Sequence, residues 1–299
     1  AMVEEPHHTA ALDFKKYVEE KTKGRVEVQI YPASQLGGEE RAFQDVQQGI
    51  LQMTVLAVNN ASIFAPSLGA FDLPYIFKSV KEFDDCVDQN WDLINKRMEA
   101  ESGTIAIAWH SQGFRFITNS KQPVAKLADL APVKIRTPNN PIMIGVYRAW
   151  GTDPVPMAMD ETFNALQQKV VDGQDNPLVS IATNRFYEVQ KYFTEVNYQF
   201  HPDPFYVNAA WWNGLPEEYR DIITECATKM GEYNDELIDK NSSAAKQTIV
   251  DSGCEVYEPS ADELKAFQTA VQSVYDQCVT EGICTADEIK EMQDIVAKA

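Results

Sequence analysis

The sequence predicts an α/β protein built as two intimately joined domains. Short apolar strands alternate with amphipathic helices through the first two thirds of the chain. A helical stretch of more than thirty residues begins at Pro216, long enough to bridge two bodies. No Gly/Ser linker, low-complexity tract or internal repeat separates the parts. A length of 299 residues fits about two domains, and such a chain buries roughly three quarters of its unfolded surface without help from metal or disulfide.

The elements follow in order. Thr9 to Thr22 reads as a helix striped by Leu12, Phe14, Tyr17 and Val18, and Gly24 stops it. Val26, Val28 and Ile30 alternate with polar residues and predict a short strand ending at Pro32. Gly37-Gly38 precedes a helix with Phe43, Val46 and Ile50 on one face, and Met53 to Val58 reads as a strand buried on both sides. Phe83 to Met98 is helical, Thr104 to Trp109 a buried strand, and Phe116 to Asn119 the start of another. Val133 to Arg136 is a strand, Pro141 to Trp150 a helix, and Val155 to Met157 extended. Asp160 reads as the cap of a helix running to Gln168, and Lys169 to Gly173 as a strand. The alternation favours a largely parallel sheet. The stretch from Pro216 runs to about Val250 as one helix or as a pair broken near Gly231, and the segment after Pro259 is again helical.

Charge and composition remove several function classes. The formal net charge of -19 repels phosphate backbones and argues against a nucleic-acid partner. No run of eighteen apolar residues exists to span a bilayer. No basic, apolar leader opens the chain; Ala1-Met2-Val3 reads as the tail of a strand, so a signal peptide and a few strand residues are expected upstream. Cys278 and Cys284 could close a small loop, Cys226 and Cys254 a second, or all five cysteines, Cys86 included, could be buried thiols. With no Cys-x-x-Cys pair and with His7, His8, His110 and His201 scattered, neither a metal nor a cofactor is expected. The glycine-rich phosphate loops, His-Glu-x-x-His and Gly-x-Ser-x-Gly are absent, and no carboxylate pair stands out, so an enzyme is the weaker reading.

The informative stretch runs from Trp109 to Gln190. Gly113-Phe114-Arg115 follows an apolar strand, and Lys134-Ile135-Arg136-Thr137-Pro138-Asn139 puts an arginine at the tip of another. Asp172-Gly173-Gln174-Asp175-Asn176-Pro177 reads as a polar turn at the end of a third. Ligands of open α/β sheets sit beyond the carboxyl ends of strands, and a guanidinium fork matches a carboxylate in two parallel hydrogen bonds. Arg148 and Arg185, in helical segments, read as surface residues.

This stretch, with Tyr17 to Arg25, Tyr31-Pro32, Ser34-Gln35-Leu36-Gly37, Asp72-Leu73-Pro74-Tyr75, Thr118-Asn119-Ser120-Lys121, Asp153 to Met157, Ala165-Leu166-Gln167, Val171 to Pro177, Glu188 to Tyr192 and Leu215-Pro216, resembles the solute-binding family of tripartite ATP-independent periplasmic (TRAP) transporters. The resemblance covers nearly the whole chain. It implies a two-lobed periplasmic-binding-protein fold of the Venus-flytrap type with a long hinge-spanning helix. Lobe I would be 1–112 plus 202–241 and lobe II 113–201 plus 242–299, with the cleft between them. By the same resemblance Arg136 grips the carboxylate of a small organic acid, Arg115 is a second ligand-facing arginine and Asn176 donates a hydrogen bond. Asp175 stands where the family more often has Glu. Ala57 to Asn60 lacks the charged residues of the family's sialic-acid binders, which argues against that ligand.

The facing walls are expected from His7, Asn59, Asn60 and the segment Phe205 to Trp212, with Phe205 and Trp211 as aromatic candidates; Met159 stands where the family pattern has a ligand-side aromatic. Trp109, Phe114 and Phe163 are further wall candidates, so a sugar acid and an aromatic or keto acid stay open. The implied partners are integral membrane TRAP permease subunits, the location the periplasm and the state a monomer. A binding protein of an ATP-driven importer or sensor, and an enzyme on a two-lobed scaffold, are the rival classes.

Overall fold

The computed structural model describes residues 6–298; the strand tail read at Ala1 to Val3 lies outside the described residues. Ten strands are described: β1 Met53–Val55, β2 Thr104–Ala106, β3 Ser111–Asn119, β4 Lys134–Thr137, β5 Asp153–Pro156, β6 Gly173–Pro177, β7 Tyr192–Thr194, β8 Phe200–Pro202, β9 Phe205–Asn208 and β10 Glu255–Tyr257. They form two sheets. The smaller has the order β1-β9-β2, with β9 antiparallel to both neighbours. The larger has the order β10-β7-β3-β6-β4-β5, with β8 paired to the start of β3.

The expectation of a largely parallel sheet needs correction. β4 runs parallel to β5 and β6, and β10 parallel to β7, but β3 is antiparallel to β6, β7 and β8. β3 arrives directly from the small-sheet body, so no helical crossover sets its direction. The crossing segments β3 and β8 return past each other between the two sheets, which makes a mixed α/β, two-lobed architecture.

Helices cover both bodies. Around the small sheet lie α1 Pro6–Lys21, α2 Glu39–Gln47, α3 Val58–Ala61 and α4 Val80–Ser102; around the large one, α5 Leu127–Leu130, α6 Pro141–Ala149, α7 Met159–Gln167 and α8 Leu178–Thr183. After α9 (Ala209–Gly214), α10 runs unbroken from Glu217 to Asp251. It packs on α1 in one body and on α8 in the other. Gly231 does not break it. A Cβ there would meet the carbonyl oxygen of Trp109 at 3.0 Å, so the glycine lets the helix lie close against the strand segment. The chain closes with α11 Ala261–Ala270, α12 Gln272–Thr280 and α13 Ala286–Val296; α12 packs on α6 and α13 on α4, so the tail straddles both bodies.

Three local readings change. Residues 26–32 are extended but join no ladder among the described residues. Side chains of α1 take their backbone groups instead: Lys15 Nζ donates to the Val28 carbonyl at 2.5 Å and the Val28 N–H donates to Glu19 at 3.0 Å. Asp160 is not the cap of α7, which starts one residue after Ala158; it sits in the first turn, where a carboxylate still complements the helix dipole. The third apolar strand is not Lys169 to Gly173 but β6, the polar segment itself, every residue of it buried. The five cysteines are free and buried. Cys278 and Cys284 sit as thiols in one core cluster, whereas Cys226 and Cys254 belong to different ones.

Candidate functional site

A cavity of about 130 Å³ opens between the two bodies. One side is built by the first half of β3, the ends of β4 and β6, the start of α7, and α8 with Asn184 just beyond it. The other is built by the first turn of α1, residues 33–39, the β1–α3 segment and the residues just after β8.

Arg136 is the central feature. β4 ends one residue beyond it, and its side chain is only 3% exposed. Its Nε and Nη2 donate to the Met157 carbonyl at 3.0 and 2.7 Å, which fixes the plane of the guanidinium. No protein carboxylate lies in contact with it among the described residues. Burial is the main cause, with the nearby Arg115 charge, that lowers its pKa from 12.5 to about 10. It therefore stays charged at neutral pH while lacking an anion.

Arg115 is arranged the opposite way. It projects from β3, 1% exposed, and its Nε donates to Asp175 Oδ2 at 2.7 Å while Nη2 donates to the Asp175 carbonyl at 2.7 Å. Nη1 meets His201 Nδ1 at 2.5 Å, and Nη2 reaches Asn176 Oδ1 at 3.4 Å. Burial would lower its pKa, but the Asp175 carboxylate overrides this and raises it. Tyr198 Oη donates to the same Asp175 oxygen at 2.5 Å, closing a buried network. Asn176 is further fixed by donating to Gln174 Oε1 at 2.5 Å and by its contact with Met159 Sδ at 3.7 Å.

β6 can approach β3 this closely only because residue 173 is glycine. A Cβ there would lie 2.2 Å from the Thr118 carbonyl oxygen. The register that results sets Arg115 opposite Pro177 and Phe116 opposite Asn176.

Seven of the residues singled out from the sequence come together around the cavity: His7, Asn59, Asn60, Arg115, Arg136, Met159 and Asn176. Two do not. Phe205 is fully buried in β9, in the core under the small sheet, and Trp211 in α9 packs against that same core. β9 is the central strand of its sheet, so its apolar side chains are claimed by the core before any cleft can use them. Trp109, Phe114 and Phe163 likewise pack in cores. Among the described residues the cavity wall therefore carries no Phe, Tyr or Trp; its aromatic rings are the imidazoles of His7 and His201.

Gln112, Ser180, Asn184, His201, Asp203 and Glu39 also face the cavity and were not anticipated. Asp203 is the hub of the small-sheet side. Its Oδ2 meets His7 Nε2 at 3.0 Å and accepts from Gln112 Nε2 at 2.7 Å, and its Oδ1 lies 3.2 Å from His201 Nε2. Burial would raise its pKa, but the two histidines hold it well below the ordinary carboxylate range. Asn140, the cap of α6, ties the bodies together behind the cavity. Its amide donates to the Asn59 carbonyl at 2.9 Å and to Ser62 Oγ and Asp72 Oδ2, both at 3.0 Å.

Comparison with known proteins gives a consistent picture. Residues 1–281 match the family described as bacterial extracellular solute-binding protein, family 7 (DctP). The chain is 28% identical, over 96% of its length and 88% of the relative's, to the 2,3-diketo-L-gulonate-binding periplasmic protein of Escherichia coli. Its fold matches the sugar acid binding protein of Advenella mimigardefordensis in complex with galactonate, with a TM-score of 0.94, 26% identity and coverage of 99% and 95% of the two chains. It also matches a TRAP periplasmic solute-binding protein of Chromohalobacter salexigens with bound D-glucuronate, with a TM-score of 0.93, 29% identity and coverage of 98% and 97%. The chain belongs to the bacterial extracellular solute-binding protein family 7, the solute-binding proteins of TRAP transporters.

Proposed function

We propose that this chain captures a polyhydroxylated monocarboxylate, a sugar acid, in the periplasm and delivers it as a monomer to the integral membrane subunits of a TRAP transporter. The observation that carries the reading is Arg136: a buried, charged guanidinium that no protein carboxylate contacts among the described residues, in a cavity whose wall carries amides and hydroxyls beside Glu39, Asp160 and Asp203. A solute carboxylate supplies the missing charge. Asn176, held by its bonds to Gln174 and Arg115, is placed to meet the same carboxylate, and Arg115 acts mainly by fixing that wall. Asn59, Asn60, Gln112 and Ser180 suit solute hydroxyls, and the lack of an aromatic wall disfavours an aromatic acid.

The lobes are taken as the small-sheet and large-sheet bodies, with β3, β8 and α10 crossing between them. Closure would exclude water and strengthen the ion pair, and the solute drives closure by binding the closed form better. The family and the matched structures are solute-binding proteins, which supports capture and release of an unchanged solute.

The test is a thermal-shift screen of acids on protein refolded free of co-purified solute, followed by titration calorimetry. D-galactonate, D-glucuronate and D-erythronate are expected to stabilise the chain, and galactitol, which lacks the carboxylate, is not. Tighter binding of phenylpyruvate than of every sugar acid, or equal binding of galactitol, would overturn the assignment.

A further inference from the structure

Beside the solute cavity lies a second constellation. His7, His110 and Asp203 each turn one ligating atom inward, and these atoms all lie within 4.8 Å of one another. The three come from separate elements: the first turn of α1, the segment between β2 and β3, and the segment between β8 and β9. A backbone hydrogen bond of 2.9 Å from the Asp203 N–H to the His110 carbonyl holds two of them in register. The imidazoles of His7 and His110 lie with centroids 4.7 Å apart, tilted by 50°. His110 is 2% exposed and Asp203 1%, so these are not surface groups gathered by chance.

One buried polar atom of this cluster has no partner. His110 Nε2 is buried and unpartnered, whereas His7 Nε2 lies 3.0 Å from Asp203 Oδ2 and Asp203 Oδ1 lies 3.2 Å from His201 Nε2. A buried polar atom is rarely left so, and His110 Nε2 beside the His7–Asp203 pair asks for an occupant. The shell behind them fits. Asn234 on α10 sets its amide nitrogen 3.0 Å from His110 Nδ1, and its own Oδ1 is buried and unpartnered. Turning that amide by half a rotation lets Oδ1 accept from His110 Nδ1–H. The turn gives the Asn234 oxygen a partner, in exchange for the long 3.4 Å bond from its amide to the Ser111 carbonyl, and leaves Nε2 its lone pair, the tautomer a metal-bound imidazole needs.

We propose that His7, His110 and Asp203 form a site for one divalent transition-metal ion of the zinc type, with an open coordination position facing the solute cavity. Two imidazoles and one carboxylate make an N2O donor set that suits Zn²⁺ and its first-row neighbours rather than Ca²⁺ or Mg²⁺. Three protein ligands leave a fourth position vacant. His7 and Asp203 line the cavity whereas His110 stands behind it, so that position faces the solute. There a hydroxyl or keto oxygen of the solute completes the coordination. This second step depends on the proposed solute; metal binding itself does not.

The test titrates Zn²⁺ into chelator-treated, solute-free protein by calorimetry. One ion per chain is expected. His110→Ala, a change outside the cavity wall, should weaken binding at least about a hundredfold, and Asn234→Ala about 10–100-fold by loss of the orienting shell. His8→Ala, outside the cluster, should change nothing. Absence of a single saturable site, or equal affinity in the parent and His110→Ala, overturns the metal site. If His110→Ala loses its circular dichroism, the visible spectrum of the Co²⁺-loaded parent decides: tetrahedral nitrogen–oxygen ligation supports the site, and free aqueous Co²⁺ rejects it. Galactonate titrations with and without Zn²⁺ then separate the steps. A metal that binds without altering galactonate affinity removes the solute contact and leaves the ion.

Discussion

Replacing Arg136 by methionine should have opposite consequences for the empty and the occupied protein. In the empty protein the guanidinium is buried, charged and without an anion; a pKa lowered from 12.5 to about 10 corresponds to a penalty of ~3 kcal/mol on the charged form at neutral pH. Methionine of similar length removes that penalty. It also removes the two donors to the Met157 carbonyl, whose loss costs about 1–2 kcal/mol. The net change in the stability of the solute-free chain is therefore small or favourable, between zero and about 2 kcal/mol of stabilisation. Binding moves the other way. A solute carboxylate desolvated without its partner costs at least 2–5 kcal/mol, which is about 30-fold to several thousandfold in Kd.

Urea unfolding of solute-free protein and titration calorimetry with D-galactonate measure the two effects. An affinity within a factor of three of the parent would remove Arg136 from the solute contact. Loss of more than about 3 kcal/mol in the empty protein would mean that the guanidinium is already satisfied internally, and the argument from an unpaired charge would fail.

Other perturbations have equally definite signs. Asp175→Asn leaves Arg115 buried without its anion and should cost about 3–5 kcal/mol in urea unfolding; a loss below 1 kcal/mol would mean that the pair is not structural. Gly173→Ala forces a Cβ to within 2.2 Å of the Thr118 carbonyl and should cost about 3 kcal/mol or more through β6 and β3, so an unchanged Tm would contradict the close strand approach. Asp72 is pushed by burial from 3.8 to about 7, against the donors Ser62 and Asn140, so the folded state holds its proton more tightly than the unfolded chain. Its contribution is present below about pH 4 and lost as pH rises through 7, a change of up to ~4 kcal/mol that should disappear from the stability–pH curve of Asp72→Asn. Glu39 and Asp160 line the same cavity as Arg136, so D-galactarate, with its second carboxylate, should bind at least about tenfold more weakly than D-galactonate; comparable titrations would reject this charge count.

Arg136 was legible because its sequence context was complete. An apolar strand, an arginine at its tip and a following Thr-Pro place a charged fork at a strand end, where β4 indeed ends. Asn176 was legible as a residue but not as an element. Gly-Gln-Asp-Asn-Pro has the composition of a turn, and it is a fully buried strand because Arg115, Gln174 and Tyr198 satisfy most of its polar groups, Asp175 Oδ1 excepted. Hydropathy registers apolar burial and has no access to burial offset by a hydrogen-bond network. Phe205 failed for the reverse reason: an aromatic residue in a functional-looking segment proved to be the middle strand of a sheet. His110 and His201 read as scattered residues and Asp203 did not stand out, since only the crossing of β3 and β8 brings residues so far apart in sequence to one point.

The contrast between the two arginines explains how a protein of net charge -19 can hold an anion. Most of that charge is on the surface, and at physiological salt it is screened over about 8 Å. What a solute meets inside the cleft is local. Arg115 with Asp175 is an internally neutral pair, so it sets geometry without adding net attraction. His7 and His201 flank Asp203, which again offsets charge within the wall. Arg136 has no contacting carboxylate among the described residues, because Met157, the residue just after β5, offers it a carbonyl, a dipole, rather than an acid. A carbonyl orients the guanidinium but leaves its charge uncancelled. That choice keeps the cleft at the cost of one buried unpaired cation when empty, and makes the incoming carboxylate the group that relieves it. Because the penalty is released only when water has been displaced from around Arg136, the same electrostatics that select an acid also favour the closed, occupied form over the open, empty one.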